Sequence, residues 1–366
     1  MPVTLCLTHD CNLRCRYCYA GCKRPERMSV ETARLGIDLA LSDHIRRGRD
    51  RPFDLGFFGG EPLLEWELLR EADAYAEERC RAEGVRLRRT VTTNLTLLTP
   101  ERVAWFGERR YLLGCSIDGC ARMHDFFRVF PDGAGSHATA LRGLRLLRGY
   151  PGRKDAICVL NPETVSLLPE SVRFLLSETD AHICVNPNFS AKGTPEALAA
   201  LERAYTEVAD IVRNSYRAGC PVHVNMLDGK IHNLLTEGYR PCQRCEPVTR
   251  ELAVAPSGNL YPCPNLVGDD DRVELRLGDV RNGLNSAAVL RALARTGCHS
   301  PECEGCPIRA RCMNGCCCAN YFSSGATDRV SPFLCFHEKL SVRLADALAS
   351  DLLAEKNEPF LRAFRS

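Results

Sequence analysis

Cysteines dominate the chemistry that this sequence could support. The chain of 366 residues contains 22 of them, and the first group, Cys11, Cys15 and Cys18, has the spacing CxxxCxxC. Three thiolates at this spacing can hold three corners of a [4Fe-4S] cluster and leave one iron open to an external ligand. The same residues are also compatible with a zinc site, or with a ferredoxin-like cluster whose fourth ligand lies elsewhere.

A second and longer array of cysteines lies in the C-terminal third of the chain. Its members are Cys242, Cys245, Cys263, Cys303, Cys306, Cys312, Cys316 and Cys335. From about Pro241 the sequence is dense in proline, glycine and cysteine, and such a segment builds little apolar core, so we expect bound metal to hold it together. A zinc ribbon is the simpler alternative for these residues.

Composition and charge restrict where these cysteines operate. No export signal is evident, and cytosolic thiols stay reduced, so the cysteines are interpreted as metal ligands rather than disulfides. The formal charge is +2, from 48 Lys and Arg against 46 Asp and Glu. This balance argues against nucleic acid or an anionic membrane as a partner, and no apolar stretch is long enough to span a bilayer. We expect a cytoplasmic protein.

The elements that must position the cysteines follow an alternating pattern of short apolar runs and longer helical stretches, typical of β/α units. The predicted strands are Val3–Leu7, Leu55–Phe58, Leu87–Val91, Tyr111–Ile117, Ala156–Leu160 and His182–Val185. The predicted helices are Val30–Arg46, Glu65–Ala82, Glu101–Arg109, Ala138–Leu147, one from Pro195 to a stop at Gly219, and Glu338–Lys356. Several strands lead directly into polar or glycine-rich residues, as at the active face of a parallel barrel or partial barrel.

The triad, with the aromatic Tyr17 before its last cysteine, resembles the signature of the radical S-adenosylmethionine (SAM) superfamily. The resemblance implies that SAM chelates the open iron through its amino and carboxylate groups. One-electron reduction then cleaves SAM to methionine and a 5′-deoxyadenosyl radical, which abstracts a substrate hydrogen atom. Tyr17 would lie near the adenine.

Further residues match the same family in order along the chain. Gly59, Gly60, Glu61 and Pro62 resemble its GGEP motif, in which the glycines let the backbone approach the methionyl group and Glu61 accepts from its ammonium. Other residues fall where relatives place groups that contact SAM, namely Thr93, Asn94, Ser116, Asp118 and Arg128. Arg128 suits the SAM carboxylate as a bidentate donor.

The C-terminal array resembles the seven-cysteine SPASM signature found downstream of the radical SAM domain in a subset of the superfamily. The resemblance implies two auxiliary [4Fe-4S] clusters and assigns their ligands. The first cluster would take Cys242, Cys245, Cys263 and Cys316, and the second Cys303, Cys306, Cys312 and Cys335. The implied architecture is α/β, with a partial (β/α)6 TIM-like barrel over residues 1–230 and a small cysteine-rich SPASM domain with a C-terminal helix over residues 231–366.

SPASM proteins mostly act on peptides or proteins, so the resemblance implies oxidative modification of such a substrate, with a flavodoxin- or ferredoxin-type reductant. Three alternatives stay open: a small-molecule substrate, a sulfatase-maturating type of enzyme, and a non-catalytic electron-transfer or zinc protein. Sulfatase maturases place an aspartate base directly after the equivalent of Cys263, and this sequence has Pro264 there. Tyr261, Asp269 and Glu246 are other candidate bases, and the thiols of Cys22, Cys120 and Cys184 are candidate hydrogen donors.

Overall fold

Short strands and longer helices alternate along the chain, whose residues 1–239, 251–295 and 301–364 are described in a computed structural model. The strands are β1 (Val3–Cys6), β2 (Phe53–Phe58), β3 (Leu87–Thr93), β4 (Leu112–Ser116), β5 (Lys154–Leu160), β6 (His182–Pro187), β7 (Ala253–Val254), β8 (Asn259–Tyr261), β9 (Gly278–Asp279) and β10 (Gly283–Leu284). The helices are α1 (Val30–Arg47), α2 (Trp66–Ala82), α3 (Pro100–Glu108), α4 (Ala121–Phe127), α5 (His137–Leu146), α6 (Leu168–Glu178), α7 (Pro195–Arg217), α8 (Asn225–Leu235), α9 (Ser286–Ala294), α10 (Pro301–Glu304), α11 (Cys317–Ser324), α12 (Pro332–Ala354) and α13 (Glu358–Phe364).

The first of two compact units contains β1 to β4 and the short C-terminal strands. It comprises Met1–Ser116, Arg128–Arg153 and Glu246–Thr296. Within it the strand order is β10-β9-β8-β7-β1-β2-β3-β4, with β7, β1, β2, β3 and β4 parallel to one another and β7 to β10 paired antiparallel. Parallel neighbours place their carboxyl ends at one edge, so the loops after β1, β2 and β3 lie together there.

The second unit comprises Ile117–Phe127, Lys154–Cys245 and Gly297–Ser366. Its strands β5 and β6 are parallel, with Asp155 opposite His182 and Leu160 opposite Pro187. The long helix α12 packs against both α7 and α8. The predicted domain boundary between residues 230 and 231 stays a prediction, because compact units need not coincide with the domains that a sequence signature defines.

Hydroxyl caps explain why three of the predicted helices begin within one residue of the predicted position. Ser29, Thr99 and Thr194 each accept a hydrogen bond from a backbone N–H in the first turn of α1, α3 and α7. The last long helix is the exception, since it begins at Pro332 and not at the predicted Glu338. Ser331 caps it by accepting from the Leu334 N–H, and a proline at the first helical position suits this start.

The α/β class with parallel strands and flanking helices is confirmed, and all six predicted strands are present. Among the described helices, none combines the length and the apolar character that crossing a membrane requires.

Candidate functional site

The three cysteines of the N-terminal group lie in the loop after β1, called here the triad loop (residues 8–27). An isolated antiparallel bridge between Thr8 and Arg27 closes the loop at its base. Cys11 is buried, Cys15 is half-buried and Cys18 is exposed. Along this one loop the three thiols therefore become progressively more exposed to solvent.

Nitrogen donors surround two of these sulfur atoms. The Leu13 N–H lies 3.4 Å from Cys11 Sγ, and the amide of Asn94 lies 3.8 Å from the same sulfur. Lys23 Nζ lies 3.1 Å from Cys18 Sγ. Burial raises the pKa of Cys11 to about 12, so iron must displace a proton from this thiol, and N–H donors favour the resulting thiolate. This donor set fits an iron–sulfur cluster.

Glu61 is the buried acidic centre of the site. Its Oε1 accepts from Thr93 Oγ1 at 2.7 Å and from the Leu63 N–H at 3.1 Å, and its Oε2 accepts from the Asn94 N–H at 2.7 Å. Burial nevertheless raises the pKa of Glu61 to about 7. A carboxylate offers about four lone-pair directions, so these three donors leave room for one further donor.

The two glycines before Glu61 are required by the protein's own backbone. Gly59 has φ +131°, and a Cβ on Gly60 would stand 1.9 Å from the carbonyl oxygen of Asp10. The backbone N–H groups of Gly60 and Glu61 donate to the carbonyls of Thr8 and Asp10, at 2.8 and 2.9 Å. The glycines thus let the ends of β1 and β2 stay hydrogen-bonded beyond the strands, which places Glu61 beside the triad loop.

Tyr17 and Arg128 form the next pair of predicted residues that the structure brings together. The guanidinium carbon of Arg128 lies 5.3 Å from the centroid of the Tyr17 ring, within cation–π range, and Arg128 is buried. The aromatic of the triad and the predicted carboxylate-binding cation therefore share one location in the first unit.

Asp118 and Ser116, two further residues predicted to contact SAM, lie in different units. Asp118 belongs to the second unit and is buried; its Oδ1 accepts from the Val159 N–H at 2.8 Å, and its own N–H donates to His124 Nδ1 at 3.2 Å. These contacts fasten the 117–127 turn to β5. Ser116 ends β4 in the first unit and is half-buried. Contacts of these two residues with SAM stay predictions.

Two of the candidate bases have structural partners instead. Asp269 Oδ1 accepts from the Cys22 N–H at 2.6 Å and from Arg24 at 3.2 Å, so this carboxylate braces the triad loop. The hydroxyl of Tyr261 is fully buried and donates to Asp270 at 2.8 Å, and burial raises its pKa. The third candidate, Glu246, lies outside the described residues.

The predicted auxiliary ligands fall in both units. Cys242 and Cys245 lie outside the described residues. Cys263 precedes a turn of 3₁₀ helix in the first unit, and the remaining half-buried ligands, Cys303, Cys306, Cys312, Cys316 and Cys335, lie in the second. Cys312 Sγ accepts from the Asn314 N–H at 3.4 Å, the same two-residue pattern as at Cys11. The division of these cysteines between two clusters stays a prediction.

No three His, Cys, Asp or Glu side chains within residues 1–239, 251–295 and 301–364 are grouped closely enough to hold a single metal ion. Of the candidate hydrogen donors, Cys22 is exposed in the triad loop, Cys184 is half-buried on β6, and Cys120 is buried against the Ser171 hydroxyl at 3.3 Å. Cys120 therefore packs against Ser171, and the role of these three thiols as hydrogen donors stays a prediction.

Sequence reasoning missed two polar residues of the site. Asn12, inside the triad, accepts from the Asn94 amide at 2.9 Å and donates to Thr96 Oγ1 at 2.7 Å, which links the loops after β1 and β3. Lys23 donates to Cys18 Sγ at 3.1 Å. Lys23 could have been found from the sequence, because a lysine shortly after a cysteine triad is a visible signal. The pairing of Asn12 with Asn94 depends on the fold and has no such signal.

A family model described as the radical SAM superfamily matches residues 5–175. A cysteine-type anaerobic sulfatase-maturating enzyme of Clostridium novyi (strain NT) is 22% identical over 322 residues, which covers 84% of this chain and 85% of that protein. The solved structure of native anSMEcpe with bound AdoMet and Kp18Cys peptide has a TM-score of 0.79 at 18% identity, covering 97% of this chain and 99% of that one.

The structure of Streptococcus suis SuiB bound to its precursor peptide SuiA has a TM-score of 0.59 at 13% identity, covering 91% of this chain and 75% of that one. Both structural similarities concern the fold, which is that of the predicted α/β class. The match over residues 5–175 confirms the resemblance to the radical SAM superfamily. Residues 5–175 therefore form a radical SAM domain, and the chain is similar over most of its length to anaerobic sulfatase-maturating enzymes.

Proposed function

We propose that this enzyme reductively cleaves SAM and uses the resulting radical to oxidise a peptide or protein, forming a cross-link or an unsaturated bond. The observation that carries the proposal is the connection from Cys11 to Glu61. The Asn94 side chain lies against Cys11 Sγ, while its backbone N–H donates to Glu61 Oε2 at 2.7 Å. A predicted cluster ligand and the predicted anchor of the SAM amino group are thus joined through one residue.

The residues of the first unit have separate roles in this proposal. Cys11, Cys15 and Cys18 would hold a [4Fe-4S] cluster that supplies the electron for SAM cleavage. Glu61 would accept from the SAM amino group and is held in place by its three protein donors. Arg128, which lies over the Tyr17 ring, would offer its guanidinium to the SAM carboxylate, and Tyr17 would lie near the adenine.

The peptide substrate is supported by the relatives and by the second cysteine array. Two of the matched structures are described with bound peptides, the Kp18Cys peptide and the precursor SuiA. A two-electron oxidation of a peptide also requires an acceptor for the second electron, and the cysteines assigned to two auxiliary [4Fe-4S] clusters would hold one.

We further propose a cytoplasmic location, a flavodoxin- or ferredoxin-type reductant, and domain limits at residues 1–230 and 231–366.

Mass spectrometry of a candidate peptide tests the proposed reaction. A short peptide encoded next to the enzyme gene is co-expressed with it anaerobically, and the control is the enzyme with Cys11, Cys15 and Cys18 all changed to alanine. A loss of about two hydrogens that requires the intact triad supports the proposal. An unchanged peptide mass, with SAM still cleaved by the dithionite-reduced enzyme, contradicts it and points to another substrate class.

Sulfatase maturation is the second candidate, because relatives of that description cover most of the chain. Against it stands Pro264, which follows Cys263 and opens a 3₁₀ turn where a maturase would carry its aspartate base. Asp269, the nearby carboxylate, is committed to the triad loop. Incubation with a sulfatase peptide containing Cys or Ser at the modified position decides between the two: formylglycine formation would establish this second candidate.

A further inference from the structure

The side chain of Asn94 uses its whole hydrogen-bonding capacity inside the protein. A primary amide offers two N–H donors and two lone pairs on its oxygen. Nδ2 of Asn94 donates to Asn12 Oδ1 at 2.9 Å and to Cys11 Sγ at 3.8 Å, a long contact that the size of sulfur allows. Oδ1 accepts from the Thr96 N–H at 3.0 Å and from Thr96 Oγ1 at 2.6 Å. Asn94 is only 7% exposed, so its amide has no donor or acceptor left for SAM.

The direction of this amide is fixed by the backbone. The Thr96 N–H can only donate, so the atom of Asn94 that faces it must be the oxygen, and the nitrogen must then face Cys11. Asn12 Nδ2 also donates to Thr96 Oγ1 at 2.7 Å. Asn12, Asn94 and Thr96 thus form a closed ring of hydrogen bonds, called here the amide ring. Turning the Asn94 amide over would break its bonds with both partners.

The turn that carries the amide ring has a costly backbone conformation. Leu95 is fully buried and has φ +69°, in the left-handed region that side chains disfavour. Thr93 Oγ1 accepts from the Leu95 N–H at 3.1 Å and donates to Glu61 Oε1 at 2.7 Å, so the same turn also holds the carboxylate. A strained turn persists only where its surroundings determine it, and such turns are concentrated at functional sites. Here the turn brings the Asn94 amide to the Cys11 sulfur.

A donor on a cysteine sulfur changes the redox properties of an iron–sulfur cluster. Hydrogen bonds to the sulfurs are among the factors that set the reduction potential. The reduced cluster carries one more negative charge, which the dipole of an N–H group stabilises more than it stabilises the oxidised form. The Asn94 amide therefore favours reduction, the step that must precede SAM cleavage. The Leu13 N–H, 3.4 Å from the same sulfur, acts in the same direction.

We infer, on the basis of the cluster in the proposed function, that Asn94 is a positioning residue that directs an N–H at Cys11 Sγ and raises the reduction potential of the SAM-cleaving cluster. Its side chain does not contact SAM, contrary to the expectation from the family resemblance. The backbone N–H of Asn94 keeps a separate role, which is to donate to Glu61 Oε2. The two roles of the side chain are distinguishable, because loss of the amide changes the reduction potential in one and the affinity for SAM in the other.

The test uses the full chain, reconstituted anaerobically, with variants N94S and N94D. Both keep an oxygen that accepts from the Thr96 N–H, in an ST turn or an Asx turn, and both lack the donor toward Cys11. An EPR-monitored titration without SAM measures the potential of the cluster whose signal changes when SAM is added. We expect the equilibrium constant for reduction to decrease at least about tenfold, which for one electron lowers the potential by about 59 mV. Equilibrium dialysis at equal iron content should give a SAM affinity within about threefold of the wild type.

Asn282→Asp is the matched control, since Asn282 is exposed in the turn between β9 and β10 and should change neither quantity. The inference is overturned if the potentials of N94S and N94D equal that of the wild type. A SAM affinity at least about tenfold weaker in the same variants would then make Asn94 a SAM-binding residue. If N94D takes up no iron, N94S decides alone. The absence of any SAM-responsive EPR signal in the iron-loaded wild type is a different failure, because it contradicts the proposed function itself.

Discussion

Changing Glu61 to glutamine is the most informative single substitution in the SAM site. The carboxylate accepts three hydrogen bonds, two at Oε1 and one at Oε2, and each oxygen faces one backbone N–H, from Leu63 or Asn94. A glutamine has only one acceptor oxygen. Whichever way its amide is turned, the NH₂ group meets a backbone N–H that is left without an acceptor.

The expected magnitudes follow from this geometry. An unsatisfied buried donor costs about 1–3 kcal/mol, so the free energy of unfolding should decrease by that amount. A hydrogen bond to a charged group contributes about 1.5–3 kcal/mol, so loss of the bond from the SAM amino group to the Glu61 carboxylate should weaken SAM binding roughly 10- to 150-fold. The two effects are separable, because the first requires no ligand.

Equilibrium dialysis of SAM against the anaerobically reconstituted enzyme at pH 8 measures the binding effect, with urea unfolding of the same variant for stability. Glu67→Gln is the matched control, since that side chain is 78% exposed on α2 and should change neither quantity. If Glu61→Gln binds SAM within about twofold of the wild type at equal iron content, Glu61 does not anchor SAM and the reasoning from its hydrogen bonds fails.

Three further outcomes test the same site. Because burial raises the pKa of Glu61 to about 7, raising the pH from 6 to 8 ionises it and should tighten SAM binding, and Glu61→Gln should abolish that dependence; a wild-type affinity independent of pH would contradict it. Asp269→Ala releases the triad loop, so its amides should exchange hydrogen at least about tenfold faster, whereas exposed Asp271→Ala should leave them unchanged. Gly60→Ala puts a Cβ 1.9 Å from a backbone carbonyl and should lower the free energy of unfolding by about 1–3 kcal/mol, whereas Gly107→Ala in α3 meets only ordinary contacts and should not; equal urea midpoints would refute this.

Much of the fold could be predicted because local signals and burial agree. The parallel strands read as short apolar runs, since both faces of such strands are covered. Pro100 and Pro195 follow threonine caps and fix the starts of α3 and α7. The short strands β7 to β10 were not predicted, because pairs of two or three residues have no periodicity and depend on their neighbours in the sheet.

The candidate site was only partly accessible from sequence. Spacing identifies the triad and the GGEP motif. The resemblance to the family implied a role for the glycines toward SAM, whereas Gly60 is required first by the Asp10 carbonyl. Asp269 was considered as a base and is a brace for the triad loop. Both differences arise from contacts between segments that lie far apart in the chain, which no local pattern reports.

The most direct test of the central claim is the formation of 5′-deoxyadenosine from SAM by the anaerobically reconstituted, dithionite-reduced enzyme, compared with Cys15→Ala. The account predicts that the wild type produces 5′-deoxyadenosine and methionine, and that Cys15→Ala produces neither, because the cluster has lost one of its three ligands. Retained 5′-deoxyadenosine formation in Cys15→Ala, or its absence in a wild type with full iron, would contradict the assignment of the triad as the SAM-cleaving centre.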